Sequence, residues 1–225
     1  MILNFEITTY CNAACPTCPR TLRLKKNSKM PNLKLEHMPV KLFKKICNDH
    51  SHDRIKLCGE HGDPIMHPEL DAIFDSVEKK GIIEVHTNGG MRDPEWFKHV
   101  TEKYKVEFHF GIDTFRGKED LYRINVNTDL AFDNMMASLS TGLPTYWEYT
   151  MFSYNEKYIS DVLDFMIEHP NLYLNLRKNS HFTEDISYDN IWDLIQEKFQ
   201  NNGMYWNRFI KTFPINIDTS GKKLK

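Results

Sequence analysis

Hydrophobic and polar residues alternate along six short stretches of this sequence. Alternation with a period of two is typical of β-strands, and the segments between them space apolar residues three and four positions apart, as amphipathic helices do. Six strands alternating with helices across short connections predict an α/β fold with a parallel sheet. The predicted strands are residues 2–8, 54–58, 82–86, 106–110, 145–152 and 172–177. The predicted helices begin at Pro39, Pro68, Asp93–Pro94, residue 128 and Asn155, and a last one covers 188–200.

Several of the predicted strands carry one polar face. Parallel strands covered on both faces read as nearly continuous apolar runs, and a complete eight-stranded barrel fills its interior with apolar side chains. A polar inner face therefore indicates an open, incomplete barrel with a water-filled cavity, although exposure at the sheet edges would explain the outermost strands. The polar positions are Asn4 and Glu6, Glu107 and His109, Glu148 and Thr150, and Asn175 and Arg177.

Composition and charge argue for a single-domain globular protein and against nucleic-acid-binding and membrane proteins. The 225 residues, 40% of them hydrophobic, suffice for one medium domain with its own core. The formal net charge of −2 argues against a broad nucleic-acid-binding surface. No apolar run approaches the roughly 18–20 residues that cross a bilayer, and the N-terminus lacks the pattern of a secretory signal. We expect a cytoplasmic protein without a membrane partner, with a core over residues 1–180 and a C-terminal helix and strand-like tail over 181–225.

Three of the five cysteines lie within eight residues, directly after the first predicted strand. Cys11, Cys15 and Cys18 can turn their sulfur atoms toward one point, and the odd cysteine count does not fit a secreted disulfide framework. Grouped thiolates bind an iron–sulfur cluster or zinc. A closed site of either kind normally has four protein ligands, so three leave one metal position open for chemistry. A zinc knuckle and three unrelated buried thiols are the structural alternatives.

The spacing C-x3-C-x2-C is the signature of the radical SAM superfamily, which this chain resembles. The resemblance implies that the three cysteines hold a [4Fe–4S] cluster whose fourth iron binds S-adenosylmethionine. Reductive cleavage of that cofactor then yields a 5′-deoxyadenosyl radical that abstracts hydrogen from a substrate. The fold implied is a partial (β/α)6 barrel with an open lumen, which agrees with the polar strand faces. An electron donor such as flavodoxin or ferredoxin is an implied partner.

The segment after the second predicted strand contains another motif of the resemblance. Gly62-Asp63-Pro64 resembles a Gly-Gly-Glu-Pro-like motif that holds the amino group of the methionine moiety, with Asp in place of Glu. Glycine lets backbone approach a ligand closely, and proline stiffens the turn. The shorter acidic side chain leaves Glu60 as a rival for the contact. Gly-Asp-Pro is also a good turn in its own right.

Two further motifs end the third and fourth predicted strands. Thr87 and Asn88 resemble a Thr-Asn-Gly signature beside the cofactor. Gly111 and Asp113 fall in a segment that resembles a Ser-Ile-Asp-Gly signature, with glycine where the family often has a cofactor-contacting serine. Arg123 occupies the place of a frequent family arginine that would pair with a carboxylate, and a surface salt bridge is its alternative role. All these motifs lie at the carboxyl ends of strands, where ligand sites of α/β barrels gather.

The polar strand faces also suggest where a substrate would lie. We expect Glu6, Glu107, His109 and Glu148 to line the substrate cavity. His86 or His109 would be suited to proton transfer there. The histidines of this region show no compact spacing for a dedicated second metal site: His61, His67, His86 and His109.

The C-terminal part of the sequence bears on the substrate. No cysteine follows Cys58, so the cysteines that hold auxiliary clusters in SPASM and twitch extensions are absent. The end of the chain from Phe213 nevertheless resembles the opening of such an extension, so SPASM-type enzymes are the nearest resemblance and a peptide or protein side chain is the expected substrate. A small metabolite or a nucleotide is the alternative, for which the basic segment 20–34, otherwise a solvated loop, would form a flap. Outside enzymes, the alternative is a non-catalytic iron–sulfur or zinc protein.

Overall fold

The computed structural model describes residues 1–25, 28–29, 31–77, 81–178 and 188–201, which include one sheet of six parallel strands. The order of the strands across the sheet follows their order along the chain, and the two edge strands do not pair with each other. The sheet is thus an open, partial barrel, as predicted. The strands are β1 (Ile2–Phe5), β2 (Arg54–Leu57), β3 (Ile82–Thr87), β4 (Glu107–Gly111), β5 (Thr145–Met151) and β6 (Leu172–Lys178).

Helices connect the strands, as parallel pairing requires. The sequence did not predict the short helix α1, because its stretch carries several cations and few apolar residues. In the described part of the chain, no helix has the length and apolar character to span a membrane. The helices are α1 (Pro19–Leu24), α2 (Val40–Asp49), α3 (Leu70–Val77), α4 (Pro94–Tyr104), α5 (Thr128–Leu139), α6 (Ile159–Glu168) and α7 (Tyr188–Asn201).

The start of α4 was predicted correctly from its capping residues. The side chain of Asp93 accepts a hydrogen bond from the backbone N–H of Trp96 at 2.8 Å. This bond satisfies one of the N–H groups that a helix N-terminus leaves unpaired. Pro94 follows in the first turn, where its missing N–H costs nothing.

A helical segment follows Asn155 as predicted, but the prediction that the Asn155 side chain caps it is wrong. Its side chain makes no capping bond, and α6 begins only at Ile159, after a short 3₁₀ turn. Instead, the Asn155 amide accepts from the backbone N–H of Phe152 and donates to the carbonyls of Asp113 and Thr150, each at 2.8 Å. Asn155 therefore ties the end of β5 to the end of β4.

The two faces of the sheet differ in polarity because one packs under helices and the other faces the lumen. On the outer face, Phe97 of α4 contacts Phe108 with ring centroids 4.9 Å apart. Four residues that are register partners on β1 to β4 are all buried on this outer face: Phe5, Leu57, Val85 and Phe108. The register partners on the inner face of β3 to β6 have rings that carry polar groups: His86, His109, Tyr146 and Tyr173. The predicted polar inner face is therefore confirmed for β4, β5 and β6, whereas Asn4 on β1 is exposed.

The C-terminal part of the prediction is only partly covered. The predicted helix over 188–200 corresponds to α7. The predicted strand-like tail beyond residue 201 lies outside the described residues, as do positions 26, 27 and 30 of the basic segment. The boundary at residue 180 remains a prediction.

Candidate functional site

The segment between β1 and α1, here called the cysteine loop (residues 6–18), opens onto the larger of two neighbouring cavities. Cys11, Cys15 and Cys18 all line this cavity, which has a volume of about 430 Å³. The backbone N–H of Cys18 donates to the carbonyl of Cys15 at 3.2 Å, so the loop turns tightly between these two thiols. Arg20 fastens the loop from α1, since its Nε donates to the carbonyl of Thr9 at 3.1 Å. The three sulfurs are thereby brought to one wall of the cavity.

The thiols of the cysteine loop have the surroundings of metal ligands. The backbone N–H of Ala13 lies 3.4 Å from Cys11 Sγ, and Asn88 Nδ2 lies 3.6 Å from the same sulfur. Burial raises the pKa of Cys11 to about 12 and that of Cys15 to about 11. Free thiols here would thus stay protonated at neutral pH, whereas a bound metal centre would stabilise the thiolates. Three soft donors on one cavity, with N–H groups directed at one sulfur, fit an iron–sulfur cluster.

Gly62 is the point at which the loop after β2 touches the cysteine loop. A Cβ atom at this position would lie 1.8 Å from the carbonyl oxygen of Thr8. No side chain fits there, because real Cβ atoms do not approach backbone so closely. One residue on, the N–H of Asp63 donates to the carbonyl of Tyr10 at 2.8 Å. Glycine therefore allows two loops of the site to share a backbone contact.

The Asp63 carboxylate joins the loop after β2 to the end of β3. It is buried and accepts from Thr87 Oγ1 at 3.0 Å, from the N–H of Asn88 at 2.8 Å and from the N–H of Ile65 at 3.2 Å. Burial raises the pKa of Asp63, and these donors oppose that rise. The next residue, Pro64, begins a 3₁₀ turn. The Asp63 carboxylate thus holds the loop after β2 against the end of β3.

Asn88 connects the end of β3 to the cysteine loop. Its Nδ2 donates to Asn12 Oδ1 at 2.9 Å, and its Oδ1 accepts from the N–H of Gly90 at 2.8 Å. Thr87 and Asn88 both line the larger cavity together with Gly62 and Asp63. The structure therefore brings the predicted motifs of the second and third strands to the cavity that the cysteines line.

Arg123 lines the same cavity and pairs with the buried Asp113, which does not itself line the cavity. Arg123 Nε donates to Asp113 Oδ2 at 2.7 Å, and the other carboxylate oxygen accepts from the N–H of Thr150 at 2.8 Å. The Arg123 charge is the largest influence that lowers the pKa of Cys15 against the effect of burial. A Cβ atom at Gly111 would lie 2.8 Å from Arg123 Nη2. The guanidinium thus covers the position where the related signature has serine.

His61 brings an unpartnered nitrogen to this cavity. Its backbone N–H and its Nδ1 face the Glu6 carboxylate at 2.6 and 3.3 Å. Its buried Nε2 has no hydrogen-bond partner within the described residues, although the side chain lines the larger cavity. Glu6, predicted for the substrate cavity, lines neither cavity and positions His61 instead. No pattern in the sequence indicated this role of His61.

The lumen of the sheet forms a second, smaller cavity of about 290 Å³. It contains three of the predicted substrate-cavity residues, Glu107, His109 and Glu148. It also contains residues that were not predicted as site residues, although their alternation within β2 and β3 was a usable signal: Arg54, Lys56 and Glu84. Four residues line both cavities and so mark their junction: His86, His109, Glu148 and Arg177.

Glu148 is the centre of the polar network at the junction of the cavities. Its Oε1 accepts from His109 Nδ1 at 2.8 Å, and its Oε2 accepts from Asn175 Nδ2 at 2.8 Å and Arg177 Nε at 2.5 Å. Burial alone would raise the pKa of Glu148. The hydrogen bond from His109 and the charge of Arg177 outweigh it and lower that pKa to about 2. The carboxylate is therefore ionised at neutral pH.

Solved structures of proteins with bound S-adenosylmethionine share this fold. Streptococcus suis SuiB bound to S-adenosylmethionine matches with a TM-score of 0.70 and 14% identity over 90% of this chain. The anSMEcpe structure with bound AdoMet matches with a TM-score of 0.64 and 14% identity over 89% of this chain. The chain spans 45% of that SuiB chain and 59% of that anSMEcpe chain. No protein-family model and no curated protein matches the sequence.

Proposed function

We propose that this protein is a radical SAM enzyme that binds a [4Fe–4S] cluster through Cys11, Cys15 and Cys18. The observation that carries the proposal is that these thiols share one cavity with the motif residues after β2, β3 and β4. When bound, the cluster supplies the electron that splits S-adenosylmethionine into methionine and a 5′-deoxyadenosyl radical. The chain's own residues hold the reactants in place and exclude water.

The proposed cofactor site divides its work among several residues. Gly62 brings backbone groups to the methionine moiety, and Asp63 fixes that loop to Thr87 and Asn88. Arg123, held by Asp113, presents a guanidinium that suits a carboxylate of the cofactor. Pro64 stiffens the loop that carries these groups. The unpartnered His61 Nε2 supports the presence of a polar ligand, because a buried nitrogen without a hydrogen bond is costly.

A peptide or protein side chain is the proposed substrate. Its support is that similar solved structures include SuiB bound to the precursor peptide SuiA and anSMEcpe with the Cp18Cys peptide. The substrate would enter the lumen lined by Glu107, His109 and Glu148. A small polar metabolite is the second candidate, favoured by a lumen whose lining residues all carry polar groups. A cytoplasmic flavodoxin or ferredoxin would deliver the electron.

The test is anaerobic reconstitution with iron and sulfide, followed by reduction and addition of S-adenosylmethionine. We expect four irons per chain and formation of 5′-deoxyadenosine, both abolished in the Cys11→Ala, Cys15→Ala and Cys18→Ala variants. Cys47→Ala is the matched control, because Cys47 is buried on α2 and lines neither cavity. Bound zinc in place of iron, or a complete cluster that never cleaves the cofactor under several reductants, would refute the proposal.

A further inference from the structure

We propose that Glu84, His86 and His109 bind one divalent transition-metal ion, such as Zn²⁺ or Fe²⁺, in the lumen beside the cofactor cavity. Their potential ligand atoms all lie within 4.8 Å of one another. Neutral imidazole nitrogen and carboxylate oxygen are donors that suit such ions. The site is separate from the cysteine loop and uses none of its thiols.

The sheet register is what brings the two histidines together. His86 on β3 and His109 on β4 are paired residues of adjacent parallel strands, and both point into the lumen. Neighbouring strands lie about 4.8 Å apart, so inward side chains at paired positions must lie side by side. The two rings stack with centroids 4.2 Å apart. Residue spacing along the chain does not reveal this pair, because 22 residues separate its members.

His109 is held as a metal-binding histidine usually is. Its Nδ1 lies 2.8 Å from the Glu148 carboxylate, which can only accept, so Nδ1 carries the proton of this hydrogen bond; in the neutral ring, Nε2 then offers a lone pair. That Nε2 points toward Glu84, 4.0 Å from Oε1. The ring is also clamped between those of His86 and Tyr146, each with its centroid 4.2 Å away. A carboxylate on the far nitrogen fixes both the tautomer and the orientation of a ligating imidazole.

His86 and Glu84 supply the other two donors. His86 Nε2 lies 2.6 Å from Glu84 Oε1. An ion about 2.1 Å from each atom in tetrahedral geometry needs roughly 3.4 Å between the two atoms. Metal binding therefore needs an opening of about 1 Å between these two atoms. It also needs a tilt of the His86 ring against His109, because imidazole lone pairs lie in the ring planes. Three protein donors leave a position open toward the cavity.

Lys56 determines how strongly the site binds its ion. Its Nζ lies 2.8 Å from Glu84 Oε1, so the ammonium occupies part of the space that the metal needs. The Lys56 side chain is 30% exposed and can turn toward solvent. Arg54 bridges the other oxygen of Glu84 and Glu107 at 3.0 and 2.6 Å, which neutralises these carboxylates. We therefore expect metal binding to displace Lys56 and leave Arg54 in place.

The test uses the full chain with Cys11, Cys15 and Cys18 replaced by alanine, so that it does not depend on the proposed cluster. Binding of Zn²⁺ is measured by calorimetry, and Co²⁺ reports histidine ligation by its visible spectrum. We expect one ion per chain, at least tenfold weaker binding in His86→Ala and His109→Ala, and ten- to hundredfold weaker binding in Glu148→Gln. His99→Ala on the exposed side of α4 is the matched control and should bind as strongly as its parent.

Lys56→Met in the same background should increase the affinity for Zn²⁺, an effect that unfolding of the variant cannot produce. Removing the competing ammonium should tighten Zn²⁺ binding severalfold. A parent that binds no ion, binding that His86→Ala and His109→Ala leave unchanged, or a Lys56→Met variant without tighter binding would each overturn the proposal. These Zn²⁺-binding results do not depend on whether the wild-type protein cleaves S-adenosylmethionine. Failure of the proposed function can therefore be distinguished from failure of the proposed metal site.

Discussion

Gly62 lies where the loop after β2 packs against the backbone of the cysteine loop. Replacing it with alanine forces a Cβ atom against the Thr8 carbonyl, 1.8 Å away, so the two loops must separate. We expect Gly62→Ala to lower the free energy of unfolding by about 1–3 kcal/mol, the usual cost of overpacking. We also expect affinity for S-adenosylmethionine to fall at least tenfold. Denaturant unfolding and equilibrium binding measure the two effects.

Gly117→Ala is the control for that substitution. Gly117 has a positive φ of 70°, but an added Cβ atom there would meet nothing within 4 Å. Its replacement should cost only about 1 kcal/mol for the left-handed backbone and leave cofactor affinity unchanged. If both variants bound the cofactor equally well, the contact at Gly62 would have no part in shaping the site.

The Arg123–Asp113 pair offers a second test at the scale of single residues. Asp113 is fully buried, and Arg123 is its charged partner. Arg123→Met leaves that carboxylate unpaired, which should lower the free energy of unfolding by about 3–5 kcal/mol. Arg116→Met is the matched control, because the Arg116–Asp133 pair is exposed and worth at most about 1 kcal/mol. Equal losses in urea unfolding would contradict a structural role for the buried pair.

Glu148 predicts a specific dependence of stability on acid pH. Its pKa falls from an ordinary 4.5 to about 2 in the folded protein. A carboxylate with a depressed folded pKa stabilises the fold above its unfolded pKa, and this contribution is lost as pH falls from about 4.5 to about 2. The full effect is on the order of 3 kcal/mol. Glu148→Gln should therefore flatten the fall in unfolding free energy below pH 4.5. If the unfolding free energies of the two proteins fell in parallel with pH, Glu148 would make no such contribution.

The helix ends show which local signals carry information at the scale of elements. Asp93 followed by proline marks the start of α4 because its cap uses only atoms close in sequence. Asn155 carries the same kind of signal, yet its amide bonds to the carbonyl of Asp113, 42 residues away. The short α1 was missed because its sequence reads as a loop. Local pattern thus predicts elements whose partners are local and fails where tertiary partners decide.

The difference between the local role of Asp93 and the tertiary role of Asn155 can be measured. Asp93→Ala should lower the free energy of unfolding by about 1 kcal/mol, the usual value of a helix cap. Asn155→Ala should cost about 2 kcal/mol or more, because it leaves several buried backbone groups without partners. Urea unfolding of both variants decides the matter. A smaller loss for Asn155→Ala than for Asp93→Ala would show that Asn155 does not link β5 to β4.

At the scale of the whole molecule, the fold followed from the sequence more fully than the site did. Alternating strands with polar faces predicted an open parallel barrel, since strand period and burial are local properties. The cysteine loop and the strand-end motifs were also found, because parallel strands place their carboxyl ends on one edge. The lumen network was found only in part. Its ion pairs depend on register across strands, as for Arg54 with Glu84 and Glu107.

The central claim is that the cysteine loop and the strand-end motifs form one site for a cluster and its cofactor. Low-temperature electron paramagnetic resonance of the reduced, reconstituted protein tests it most directly. The spectrum of a [4Fe–4S]⁺ cluster should appear and should change its g-values when S-adenosylmethionine is added, with a much weaker response in Gly62→Ala. A cluster signal that S-adenosylmethionine leaves unaltered in the wild-type protein would contradict the claim.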